Sequence, residues 1–286
     1  MTSRIRPLTN RVVGLAMVAG IAALALGALA VPTTSSGYTA RITNSTDTAA
    51  TAVNFTCAGA LAVDQASALF SYRLNEASGT ASAVDYASGS RPGSYVGTMT
   101  STTATTPACP RDLGGTYVLD GSTSYVSMSQ SQVNPTTFSL EVWFKTTVAG
   151  GKLIGFGNAA TGSSGNYDRH LFVTTSGKIS FGTYNGVTQI VTSPTAYNDG
   201  AWHQAVATFS AATGMILYLD GVRVASNAAF VTPQNYTGYW RIGYDNLNGW
   251  SGAAAPFFFK GSMRFAAVYT TVLTQAQVIN HYAAGR

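Results

Sequence analysis

Charge is what this sequence has least of: 9% of its 286 residues are Asp, Glu, Lys or Arg. No cluster of Lys or Arg occurs, which excludes the basic stripe of a nucleic-acid binder. The formal net charge of +5 overstates even that small balance, because Arg4, Arg6 and Arg11 precede an apolar run and are expected to leave with it. Without them 13 basic residues face 11 acidic ones, a net of +2. Glutamate is scarcer still. Glu76 and Glu141 are the only two, and Glu141 has no second acid within four positions. Glycan hydrolysis uses two carboxylates flanking the scissile bond, and a strand would carry them at i, i+2 or i, i+4. No Asp pair has that spacing either, so Glu141 reads as a solvent-side strand residue. His170, His203 and His281 stand far apart without metal-ligand spacing, and no nucleophile elbow is present. There are two cysteines, Cys57 and Cys109. In an exported chain such a pair reads as a disulfide, the alternative being two buried thiols.

What the chain does have is 46% hydrophobic residues, 30 Gly, 15 Tyr and abundant Ser and Thr. That content can fill a core and suits an extracellular β protein with hydroxyl-rich faces. Its start reads as an export signal over residues 1–30. Three arginines precede an uncharged run from Val12 to Ala30, and Ala28-Leu29-Ala30 fits a small-x-small cleavage site. The run is close to spanning length, so an uncleaved membrane anchor is the alternative. Either way the remainder is expected outside the cytoplasm, secreted or at the cell surface, with any membrane contact confined to this segment. Residues 31–56 are a Thr/Ser/Ala-rich spacer. Residues 57–286 are expected to fold as one domain.

Strand signals fill that domain. Phe138, Leu140, Val142 and Phe144 alternate with Ser139, Glu141, Trp143 and Lys145, a period of two that puts the first set on a core face. Further strands are expected at 69–74, 93–97, 152–156, 169–174, 178–184, 202–209 and 215–219. Asp220-Gly221 joins the last to Val222-Arg223-Val224 as a two-residue hairpin, and Ser176-Gly177 plays a similar part. Residues 116–121 and 124–128 are expected to pair as another hairpin. Thr274-Gln275-Ala276-Gln277 is a capping box opening a terminal helix, with Gly285 at its stop.

In this order, Leu119-Asp120-Gly121 before Tyr125-Val126, Phe138 to Trp143, Trp202-His203-Gln204, Leu217 to Gly221, Gly261-Ser262-Met263 before Val268-Tyr269, and Leu273-Thr274 before His281-Tyr282 resemble the laminin-G-like, concanavalin-A-like jelly-roll domains of secreted proteins. The resemblance runs from Leu69 to Tyr282. It implies an all-β fold of two packed antiparallel sheets with a short C-terminal helix, and a binding role toward glycans or extracellular proteins. Many relatives carry an Asp-Glu pair where this chain has Arg264 and Phe265. A calcium site needs several oxygen ligands, so calcium is disfavoured and no cofactor is expected. Arg264 is expected to pair with another acid or to face solvent.

Candidate ligand residues are aromatics among amides and acids in loops, because sugars stack on aromatic rings while polar groups hold their hydroxyls. Tyr244-Asp245-Asn246-Leu247-Asn248-Gly249-Trp250 and Asn166-Tyr167-Asp168-Arg169-His170 have that mixture, and Tyr184-Asn185-Gly186 has less of it. Trp250, Tyr244, Asp245, Asn248, Tyr167 and Arg169 are the named candidates. The alternative is that Trp250 covers the sandwich edge while Asp245 and Asn246 make a turn. Trp143 is expected to pack under the terminal helix or a loop, and Trp202 and Trp240 to serve core or edge packing. The expected function is an exported, non-catalytic, lectin-like carbohydrate-binding module. The alternatives are a surface adhesion or structural module gripping another protein and, with less support, a polysaccharide hydrolase.

Overall fold

The computed structural model describes residues 56–103 and 107–286. The expected export signal lies outside them, as does the expected spacer up to its last residue. Two antiparallel sheets pack face to face. In the first, hydrogen-bonded neighbours follow the order Val222–Asn227, Gly214–Leu219, Trp202–Ser210, Phe138–Lys145, Lys260–Tyr269, Thr116–Asp120 and Thr100–Thr102, with Ala68–Tyr72 also on Lys260–Tyr269. In the second the order is Thr188–Ala196, Lys178–Tyr184, Tyr167–Val173, Lys152–Gly157, Thr237–Ile242, Tyr125–Met128, Gly93–Val96 and Ser82–Ala83, with Gln132–Val133 on Thr237–Ile242.

The period of two along Phe138–Lys145 sends Phe138, Leu140, Val142 and Phe144 into the layer between the sheets, against Ile154, Phe156, Leu171 and Phe181. Burying each such side chain stabilises the fold by about 1.5–3 kcal/mol. The hairpin at Asp220-Gly221 forms as expected. Both residues have positive φ, 51° and 79°, which a type I′ turn requires.

The other face of Phe138–Lys145 is not open to solvent. Ser139, Glu141 and Trp143 are buried too, and Glu141 is fully so, which corrects the expectation of a solvent-side residue. Two helices cover this face. Cys57–Val63 is capped by the Thr56 side chain, which accepts from the Gly59 N–H. Gln275–Ala284 opens on the expected Thr274/Gln277 capping box. Trp143 packs under the second helix, its ring stacked on Tyr282 at 5.9 Å. Gly285 ends that helix at φ −87°, so its value lies in size: a Cβ there would sit 2.6 Å from the Trp143 ring. Cys57 and Cys109 are disulfide-bonded, with Cα atoms 6.1 Å apart.

Three further readings differ from the structure. Thr116–Asp120 and Tyr125–Met128 are strands but not a hairpin, since they belong to opposite sheets. The Asp120 carboxylate accepts from the N–H groups of Ser122, Thr123 and Ser124, turning the chain from one layer to the other. Arg264 neither faces solvent nor takes an acid in a direct ion pair among the described residues. It is buried over the Phe265 ring and donates to the Gly114 carbonyl at 3.4 Å. Phe265 sits in a bulge at φ 50°. Finally, Thr188–Ala196 and Thr237–Ile242 are strands that the sequence reading passes over. The first is an edge strand, where Pro194 breaks no inner ladder.

Candidate functional site

The outer face of the second sheet carries the candidate site. Its strands present small residues there. A Cβ on Gly182 would lie 2.4 Å from the Trp250 ring, and one on Gly157 would lie 2.1 Å from Asp245. These glycines let the segment from Gly243 to Phe259 settle directly on the sheet. Trp250 lands on Gly182 and meets the His170 ring edge-to-face at 4.2 Å, so only 5% of it stays exposed. Phe172 and Leu247 complete this small apolar cluster.

Asp245 anchors the segment. It is fully buried and accepts from the Ser164 N–H at 3.0 Å, the Ser164 hydroxyl at 2.9 Å and the Asn246 N–H at 2.7 Å. Arg241 lies 3.2 Å away and Lys152 Nζ 3.9 Å away, both buried. Burial pushes the Lys152 ammonium down to about 8 against the pull of Asp245. Burial and the Lys152 charge together hold His170 well below its ordinary value, so His170 is neutral.

Arg169 is also buried, with φ 48°. It pairs with Asp168 and donates to Asn134 Oδ1, Pro135 O and Gln234 O. Asp168 in turn accepts from the Tyr236 hydroxyl at 2.8 Å and the Tyr184 N–H at 3.1 Å. This buried pair therefore fixes the chain around Gln234 and Tyr184 from behind.

In front of these buried groups lies a cleft of about 370 Å³. Tyr167 and Tyr184 form its half-buried aromatic walls; Asn166, Thr188, Gln234 and Asn248 supply amides and a hydroxyl, and Trp250 closes it behind. The Tyr167 hydroxyl donates to the Asn248 carbonyl at 2.8 Å, tying the two loops across the cleft. Of the six sequence candidates, the structure thus brings Tyr167, Asn248 and Trp250 together. Arg169 and Asp245 stand behind the wall as buried anchors. Tyr244 points elsewhere and stacks on Phe258 with ring centroids 3.6 Å apart. Gln234 and Thr188 were not foreseen; both lie in stretches without a local motif. No acid lines the cleft among the described residues, and Glu141 lies on the other sheet. The one close cluster of possible metal ligands among the described residues is Cys57, Cys109 and Asp112, where the sulfurs already bond each other.

Residues 120–279 match the family model Laminin_G_3, described as the concanavalin A-like lectin/glucanases superfamily. The chain belongs to that superfamily. No curated protein matches it in sequence. Solved structures with the same architecture include the botulinum neurotoxin serotype D/C VPI 5993 binding domain. It has a TM-score of 0.56 and 12% identity, with 77% of this chain and 52% of that one covered. Another is from botulinum neurotoxin type C, whose cell entry depends on interaction with two ganglioside molecules (TM-score 0.54, 12% identity, coverage 79% and 53%). Domain 4 of AbnA, an extracellular arabinanase from Geobacillus stearothermophilus bound to arabinotriose, matches at TM-score 0.49 and 17% identity, covering 77% of this chain and 99% of that one. This chain spans about half the length of the neurotoxin chains. At these identities the two neurotoxin matches show the fold alone. The superfamily holds both lectins and glucanases.

Proposed function

We propose that this protein is an exported, non-catalytic carbohydrate-binding module acting outside the cell or at its surface. One observation carries the reading: two half-buried tyrosines face a single cleft whose remaining lining is Trp250, amides, a hydroxyl and glycine, with no acid among the described residues. Aromatic faces match the C–H faces of a sugar ring, and amides can both donate to and accept from its hydroxyls. Hydrolysis would need a carboxylate pair at the bound sugar, and the cleft offers none among the described residues. Tyr167, Tyr184 and Asn248 are the ligand contacts, Trp250 backs the cleft, and Arg169 and Asp245 hold its walls. The ganglioside interaction of the type C neurotoxin supports the idea that this architecture can carry a saccharide site. Export rests on the residues 1–30 signal and accords with the disulfide.

Calorimetry against hits from a glycan array tests the reading. Saturable binding that is weakened by Tyr184→Ala is expected. A folded protein that binds no glycan on the array would overturn it.

A further inference from the structure

We infer that the cleft takes an uncharged glycan and recognises a short stretch of it. This rests on the carbohydrate reading above and narrows it to a ligand class.

Charge is present around the site yet kept out of it. Lys152, Asp168, Arg169, His170, Arg241 and Asp245 lie under the cleft, and every one is 0% exposed. Among the described residues no Asp, Glu, Lys, Arg or His lines the cleft. The two arginines are also engaged elsewhere, while Lys152 Nζ makes no hydrogen bond. Arg169 is held by Asp168, two main-chain carbonyls and the Asn134 amide oxygen. Arg241 donates to the Gly162 carbonyl and faces Asp245. Lys152 has Asp245 as its nearest acid. Lys152 and Arg241 face Asp245, which the Ser164 hydrogen bonds hold against the sheet, and Arg169 is turned to Asn134, Pro135 and the Gln234 carbonyl.

A uronate, sialate or sulfate placed in this cleft would give up water and gain no charged partner. Burying an anion without a counter-charge is strongly unfavourable, and recognition of such groups draws on Arg or Lys. A neutral sugar meets no such penalty. Its hydroxyls find Asn166, Gln234, Asn248 and Thr188, and its apolar face finds Tyr184 or Tyr167. The cleft volume of about 370 Å³ is near the small end of ligand sites, room for roughly one or two sugar rings.

The test uses the full chain on an array carrying neutral oligosaccharides beside sialylated, sulfated and uronate-bearing ones, followed by calorimetry on the hits. Neutral hits are expected, with a Kd that moves less than about twofold between about 0.05 M and about 0.5 M NaCl, because no ion pair is screened. Tyr184→Ala should weaken binding about tenfold or more. Asn248→Ala is the second variant; its side chain is exposed, so its fold should be intact. Hits confined to acidic glycans, with affinity falling steeply with salt, would overturn the neutral-ligand inference and leave the carbohydrate reading standing. A fold that binds neither class would overturn both.

Discussion

His281 Nδ1 lies 2.8 Å from Glu141 Oε2, and its Nε2 lies 2.9 Å from Asp64 Oδ2. Three segments far apart in the chain thus meet under the terminal helix. Gln204 and Tyr269 also donate to Glu141, and Gln277 donates to Asp64. Burial opposes a charge on His281, but Glu141 and Asp64 outweigh it and push the imidazole up to about 10. A raised histidine contributes stability that is complete below its unfolded value near 6.5 and disappears as pH rises through about 10. Asp64 has the opposite sign: its pKa is lowered, so its contribution is complete above 3.8 and fades as pH falls. His281→Gln should therefore destabilise by about 3–5 kcal/mol near neutrality, the usual cost of stranding a buried charge. Urea denaturation across pH would show the gap to wild type closing above pH 10. A gap independent of pH would mean that His281 only packs.

The Cys57–Cys109 bond closes a loop of sequence separation 52 and fastens the first helix to the turn segment that precedes Thr116–Asp120. The chain-entropy relation gives about 4 kcal/mol for such a loop. Cys57→Ser with Cys109→Ser should lower the urea midpoint accordingly. The cleft lies on the other sheet, so ligand affinity in the folded double variant should stay within about twofold of wild type.

The sandwich was legible where physics is local. Phe138, Leu140, Val142 and Phe144 announce a strand because one face meets a core, and Asp220-Gly221 announces its hairpin because few residue pairs accept positive φ twice. Glu141 was not legible. Its partner His281 is 140 positions away, and nothing near Glu141 signals that a helix will cover it. The edge strand Thr188–Ala196 hid for another reason: Thr188, Ile190, Val191 and Thr192 favour a strand, but the segment has no apolar/polar alternation and contains Pro194. The site was half legible. Tyr167 and Asn248 stood in recognisable loops, but their meeting across 81 positions depends on topology. Arg169 and Asp245 carried the right chemistry to touch a ligand, yet the fold uses their charge to brace the loops from inside.

Asp245 and Asn248 consequently separate support from contact. Asp245→Ala removes the acid facing Lys152 and Arg241, two hydrogen bonds from Ser164 on the neighbouring loop and one from Asn246. It should cost about 3–5 kcal/mol. Limited proteolysis should find new cleavage between Asn158 and Tyr167. Asn248→Ala, an exposed change, should alter stability by less than about 0.5 kcal/mol while weakening ligand binding. Equal stability of the two variants would refute this division of roles.

Gly182 links the sheet to the cleft most directly. Its missing Cβ is the space the Trp250 ring occupies, 2.4 Å away. Gly182→Ala leaves charge unchanged but forces Trp250 outward, along with the turn that carries Asn248 and Gly249. His170, neutral and covered by that ring, would be partly uncovered and its pKa would rise toward the ordinary range. Overpacking of this kind costs about 1–3 kcal/mol, so the domain should still fold. Acrylamide should then quench tryptophan fluorescence more strongly than in wild type, NMR titration should place His170 higher, and glycan affinity should fall. Unchanged quenching together with unchanged binding would show that the loop is seated by something other than the Gly182–Trp250 contact.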